Sequence, residues 1–279
     1  MITCSLHNHC TLCDGRDTPE SMLAAAEAAG ITDFGMSCHS FCDFDPEMSI
    51  KSEREYIDKI NALKAAYSGK TRLYLGAEED YFAPVGMRAE YDYIIGSVHF
   101  VTAGDGLAAA DVSADILRET ADKFYGGDGY ALAEEYYRLV TLEAKRKPDI
   151  LGHFDLIKRY GGGIVDLGGK RYRDIALAAL DECAKTGIIF ELNYGGTESG
   201  AISSPYPDAF LLERIREKGG RVIVSTDCHD VKNIANGLTD GEKYLAALGY
   251  KSVAAMRNGK FANERLRGKR AAASIVKKI

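Results

Sequence analysis

Seven short apolar runs, separated by segments with helical spacing, constrain this 279-residue chain more than any other feature. The runs fall at residues 1–6, 31–37, 72–75, 93–97, 149–152, 188–192 and 222–225. Between them apolar residues recur at helical intervals, as at Ile57, Ile60, Leu63 and Tyr67 within 51–67. Thr18-Pro19-Glu20 reads as an N-cap, a first-turn proline and an acid at the positive end of the helix dipole. Gly30, Gly187 and Gly219-Gly220 stop helices. Further helices are expected over 130–145, 170–186, 207–218, 240–248 and 251–258. A polar loop is expected up to Ile50, and 102–128 reads as a weakly patterned, lid-like stretch, partly helical at 111–124. Strand–helix alternation implies parallel strands with helices outside, and seven or eight such units close most easily into a barrel. The expectation is one α/β barrel domain over 1–279, with its chemistry on the loops after the C-terminal ends of the strands.

All six histidines stand at those ends. His7 and His9 follow the first run, His39 the second, His99 the fourth, His153 the fifth and His229 the seventh. Glu78 occupies the equivalent place after the third run and Asp227 after the seventh. Two residues apart on an extended chain, His7 and His9 share a side. Glu79 and Asp80 rival Glu78, which comes first past the apolar run; three adjacent carboxylates repel one another without a cation nearby. Zinc takes about four ligands in a structural site and about three plus water in a catalytic one. Six imidazoles and two carboxylates at one barrel mouth therefore imply two to three divalent ions, with Zn, Mn or Fe expected.

A net charge of -6 argues against general nucleic-acid binding, which wants a basic face. No run of about 18 apolar residues signals a membrane span. No basic stretch leads into an apolar one at the N-terminus, so a cytoplasmic protein is expected. The seven cysteines include a single C-x-x-C, Cys10 and Cys13, without the second pair a zinc ribbon needs; they read as small buried thiols at strand ends. The tail bearing Arg265, Arg267, Lys269, Arg270, Lys277 and Lys278 reads as a solvated face.

The order H-x-H (His7, His9), a lone histidine (His39), G-x-E (Gly76 to Glu78), S-V-H (Ser97 to His99), G-H-x-D (Gly152 to Asp155) and D-x-H (Asp227 to His229) resembles the polymerase-and-histidinol-phosphatase (PHP) superfamily. Leu12-Cys13-Asp14-Gly15 and Gly152-His153-Phe154-Asp155-Leu156-Ile157 look most like its stand-alone histidinol-phosphatase branch. The resemblance implies a distorted seven-stranded (β/α)7 TIM-like barrel with a trinuclear site at its C-terminal face. Carried over, one ion is held by His7, His9, Glu78 and Asp227. A second shares Glu78 and adds His99 and His153, and the third takes His39 and His229. Relatives often have a further histidine just after the position of Cys13; here Asp14 stands there and offers an oxygen ligand to the third ion.

Such a cluster explains phosphate-ester hydrolysis without a serine or cysteine nucleophile, because paired ions make water nucleophilic and neutralise phosphoryl oxygens. Glu78, Asp227 and Asp14 are the expected catalytic carboxylates, with Asp227 or Asp14 helping the alkoxide leave. Arg159, six residues past His153, is the expected phosphate clamp, with Lys158 as alternative. Relatives often carry another arginine after the sixth strand, where Asn193 to Thr197 contains none; Arg171 or Arg173 stand in, and Asn193 is expected to hydrogen-bond substrate or a metal-bound water. Glu79, Asp80, Asp43 and Asp45 are the carboxylates on offer to a substrate amine. The expected partner is a small phosphate ester, L-histidinol phosphate first and another metabolite phosphate second. A polymerase-associated module is disfavoured by the missing polymerase domain and basic surface, and a metal-dependent amidohydrolase, which typically wants a bridging lysine after a middle strand, by its poor fit to Glu78 and the D-x-H ending.

Overall fold

In the computed structural model, residues 2–198, 200 and 202–266 are described. The basic residues Arg267, Lys269, Arg270, Lys277 and Lys278 lie outside them.

Strands β1 (Cys4–Ser5), β2 (Asp33–Met36), β3 (Arg72–Asp80) and β4 (Tyr93–Ser97) are followed by a hairpin, β5 (Phe100–Ala103) and β6 (Gly106–Ala109). Then come β7 (Ile150–Leu151), β8 (Ile189–Asn193) and β9 (Arg221–Ser225). Seven of these form one parallel sheet in the order β1-β2-β3-β4-β7-β8-β9. The edges meet beyond the strand ends: Asn8 and Cys228 form a parallel bridge, and the His9 N–H donates to the Cys228 carbonyl at 2.9 Å. Asn8 pins the seam. Its amide donates to the Gly35 carbonyl at 2.8 Å and accepts from the Thr226 hydroxyl at 2.8 Å. The chain thus forms the expected seven-stranded, nearly closed barrel.

The helices are α1 (Pro19–Ala28), α2 (Glu53–Ala66), α3 (Ala114–Phe124), α4 (Gly129–Lys145), α5 (Lys158–Gly161), α6 (Lys170–Ala184), α7 (Gly195–Glu198), α8 (Ala209–Glu217) and α9 (Leu238–Ala247). Thr18, Ser52 and Ser113 cap α1, α2 and α3 by accepting from backbone N–H groups three residues on. Each long helix buries one stripe, such as Met22, Leu23 and Ala26 of α1, and Tyr56, Ile57 and Ile60 of α2. Each fully buried large side chain contributes about 1.5–3 kcal/mol. Among the described residues no helix is long and apolar enough to cross a membrane.

The barrel interior changes character along its axis. Alternate residues of a strand share a face, so β4 presents Tyr93, Ile95 and Ser97, and β8 presents Ile189, Glu191 and Asn193. The N-terminal half is apolar, built from Cys4, Leu6, Tyr74, Tyr93, Ile95, Ile150, Ile189 and Ile223. The C-terminal half carries Glu78, Asp80, Ser97, Glu191, Asn193 and Ser225, all buried.

Three expectations are corrected. Residues 251–258 are not helical: β10 (Ser252–Arg257) pairs antiparallel with β11 (Lys260–Arg265). Asn258 and Gly259, at φ 53° and 75°, make the two-residue turn, a conformation that the Asn-Gly pair favours. Ala254, Ala255 and Met256 of this hairpin pack onto the apolar end of the barrel, against Cys4 and Tyr74. Residues 102–128 are better ordered than their pattern suggests, containing the β5–β6 hairpin and α3, which buries Leu117 and Ala121. Finally, β3 runs to Asp80, so Glu78 lies within a strand rather than after one.

Candidate metal centre

Every histidine and carboxylate expected to bind metal reaches the same barrel mouth. Glu78 is central: Oε2 lies 3.0 Å from His7 Nε2, 3.4 Å from His9 Nε2 and 3.1 Å from His39 Nδ1. Its Oε1 lies 2.9 Å from His153 Nε2 and 3.3 Å from His99 Nε2. Asp227 Oδ1 stands 3.5 Å from His7 Nε2 and 3.3 Å from His9 Nε2. Asp14 approaches His229 Nε2 at 3.2 Å and His39 Nε2 at 3.8 Å. Four overlapping sets have ligand atoms all within 4.8 Å of one another: His7, His9 and Glu78; His39, Glu78 and His99; His7, His153 and Asp227; and His9, Asp14, His39 and His229. Asp14 therefore sits where a missing donor beside His39 and His229 is wanted.

Local structure explains these placements. The loop after β1 folds back on itself, with Cys13 and Gly15 N–H groups both donating to the Cys10 carbonyl. That turn carries Asp14 over His9. Asp227 has a left-handed backbone, φ 49°, an unusual conformation for a residue with a side chain and one often found at functional sites.

The surroundings decide which atoms remain for a ligand. His7 Nδ1 is engaged by Glu191 at 2.6 Å, and Glu191 also accepts from the His153 N–H at 2.9 Å. Asp80 accepts from the His99 N–H at 2.7 Å and faces His99 Nδ1 at 3.3 Å. His7 Nε2, His9 Nε2 and Glu78 Oε2 are then left buried without a hydrogen-bond partner. Their approaches are close but not aligned as hydrogen bonds. Buried polar atoms are costly to leave unsatisfied, and a divalent cation satisfies all three together. The residues present therefore fit a metal cluster.

Electrostatics agree. Burial works against charge on His7, His9 and His99, yet the facing carboxylates, joined at His9 by Cys13, outweigh it and hold all three well above the usual histidine range. Burial wins at His39, which falls to about 3. Burial also works against the Glu78, Asp14 and Asp227 anions, but the imidazoles pull each carboxyl well below its ordinary value. The lowered carboxyls of Asp14 and Asp227 suit them to holding cations. The cluster demands positive charge, and protons compete with metal for it.

A pocket of about 440 Å³ opens over the cluster. Arg159 lines it, with Nη1 3.8 Å from Asp111, as does Arg16, which the sequence did not single out. Asn193 is placed differently from expectation. It is fully buried, is not among the residues lining the pocket, and its amide donates to Glu191 at 2.9 Å and Asp227 at 3.0 Å. Lys158 is bound to Asp208 at 2.6 Å, Arg171 pairs with Asp128, and Arg173 lies over Phe210; none lines the pocket. Of the four carboxylates offered to an amine, Glu79 pairs with Arg88, Asp80 serves His99, and Asp43 and Asp45 stand away from the pocket, whose wall instead carries Asp111. Glu191 was also missed, although a lone glutamate inside the apolar run Ile188 to Leu192 is a signal of a functional barrel interior.

A seven-stranded (β/α) barrel with an imidazole–carboxylate cluster at its C-terminal mouth is the class that fold and site define. The chain belongs to the PHP domain family, whose model matches residues 5–195. Asp227 and His229 lie beyond that stretch, and the barrel brings them back to it. Two curated relatives bear the name "Probable histidinol-phosphatase". The one from Deinococcus radiodurans is 27% identical over 263 residues, covering 90% of this chain and 95% of the relative. The one from Schizosaccharomyces pombe is 24% identical over 225 residues, covering 77% and 72%. The fold is shared with a "putative histidinol phosphatase" of Listeria monocytogenes, at TM-score 0.71 and 19% identity over 85% of this chain and 98% of that one. It is also shared with the histidinol phosphate phosphatase of Lactococcus lactis subsp. lactis, solved with Zn, L-histidinol and phosphate, at TM-score 0.62 and 19% identity over 94% and 100%.

Proposed function

We propose that this protein is a metal-dependent phosphatase that hydrolyses L-histidinol phosphate to L-histidinol and phosphate, using two to three divalent ions among Zn, Mn and Fe. The observation that carries this reading is the convergence of three buried, unsatisfied ligand atoms, on His7, His9 and Glu78, beneath a pocket that also holds Arg159. The names of the curated relatives supply the substrate.

His7, His9, Glu78 and Asp227 would hold one ion, Glu78, His99 and His153 a second, and Asp14, His39 and His229 a third. Bound there, divalent ions supply Lewis-acid neutralisation of phosphoryl charge and make water nucleophilic at neutral pH. The protein's own groups prepare the site. Glu191 accepts a hydrogen bond from the His7 Nδ1–H and so leaves the Nε2 lone pair facing the cluster; Asp80 does the same for His99. Asn193 fixes the Asp227 carboxylate. Arg159 meets phosphate with a planar donor fork, and Asp111 offers a carboxylate to the substrate amine.

The test is phosphate release from L-histidinol phosphate, sugar phosphates and nucleotides with Mn or Zn added. L-Histidinol phosphate should exceed the others in kcat/KM by at least about tenfold. Preference for another ester would reassign the substrate, and no release from any would overturn the phosphatase reading.

A further inference from the structure

Tyr206 is 1% exposed, lines the catalytic pocket, and carries a buried hydroxyl without a hydrogen-bond partner. A buried phenol normally finds one, since an unmade hydrogen bond leaves its desolvation uncompensated. The residue has no freedom to seek one elsewhere. Its backbone is clamped to the end of β8: Tyr206 N–H donates to the Asn193 carbonyl at 2.9 Å, and Asn193 N–H donates to the Tyr206 carbonyl at 2.7 Å. The ring is flanked by His153, centroids 6.2 Å apart, and by Lys158 Nζ at 5.0 Å. Gly196 completes the arrangement. A Cβ there would stand 2.7 Å from the Tyr206 hydroxyl, from its ring carbon Cε2 and from Ile202 Cδ1, so only glycine leaves the tyrosine this close approach. Arg159, on the same pocket wall, also leaves its buried Nε unpaired.

We infer that Tyr206 is a substrate-binding residue whose hydroxyl donates a hydrogen bond to a phosphoryl oxygen of the phosphate monoester, beside the Arg159 guanidinium. A phenol and a guanidinium are both donors, and a phosphate offers several acceptor oxygens, so one anion satisfies both orphaned groups. The ring contact with His153, itself 2.9 Å from Glu78, puts this donor next to the reacting end of the pocket rather than its rim. The inference rests on the phosphatase reading above.

Tyr206→Phe removes the hydroxyl and keeps the ring. With circular dichroism and metal content matched to wild type, calorimetric titration with inorganic phosphate should show a Kd weakened by about tenfold or more, and KM for the monoester should rise in similar proportion. Unchanged phosphate affinity and unchanged KM would overturn the inference. A wild-type protein that neither binds phosphate nor releases it from any monoester removes the phosphatase reading and this inference together. A competent wild type with an indifferent Phe variant removes only the role of Tyr206.

Discussion

Glu78 has five imidazoles within 3.4 Å of its two oxygens, those of His7, His9, His39, His99 and His153. A buried carboxylate so surrounded is explained by cations that carboxylate and imidazoles share. His9→Ala and Asp227→Ala should therefore each lower phosphatase kcat by about 10³-fold or more while far-UV circular dichroism stays native; a variant with near-normal turnover would move the site elsewhere. A second residue makes a prediction about stability. Glu143 of α4 is fully buried, with one carboxyl oxygen unpaired. Burial and the neighbouring Glu79 and Asp80 carboxylates raise its carboxyl to about 8, against the partial relief of Arg146 at 3.3 Å. The folded state thus keeps a proton that the unfolded chain releases near 4.5. That contribution is fully present below pH 4.5 and is lost as pH rises toward and through 8. Glu143→Gln should remove this slope. Urea unfolding between pH 5 and 9 should find the variant more stable than wild type at the alkaline end, by on the order of a few kcal/mol. Parallel curves for the two proteins would show that Glu143 is not the group responsible.

At the scale of elements, the hairpin β10–β11 closes the barrel end opposite the site. Met256 is 1% exposed among the apolar interior residues. Met256→Ala should destabilise the protein by about 2–5 kcal/mol in denaturant unfolding, with kcat per metal-loaded molecule unchanged; a variant as stable as wild type would mean that the plug contributes nothing. This hairpin also shows where the sequence misleads. Val253 to Met256 is a continuous apolar run that helix and buried strand share, so periodicity does not separate them; Asn258-Gly259 is the local signal that does. The parallel strands were legible because six of the seven apolar runs lead into a histidine or acid, and α1 because its cap and proline are local. The extension of β3 to Asp80 was not, since Glu78, Glu79 and Asp80 look like the start of a loop. Strand parity sorts them: Glu78 and Asp80 face the barrel, while Glu79 pairs with Arg88 outside it.

Across the whole molecule, the barrel converts six separate strand ends into one cluster, and this step was readable because no histidine stood anywhere else. What sequence spacing did not carry were roles set by three-dimensional neighbours. Asn193 turned inward to Asp227, Glu191 came to face His7, Arg16 joined the pocket beside Asp14, and Tyr206 came to it from the loop before α8. The central claim is that this cluster exists to hold divalent ions. The most direct measurement is the metal content of the purified, reconstituted protein by inductively coupled plasma mass spectrometry. Two to three ions per chain among Zn, Mn and Fe are expected, and a content of one or fewer would contradict the account.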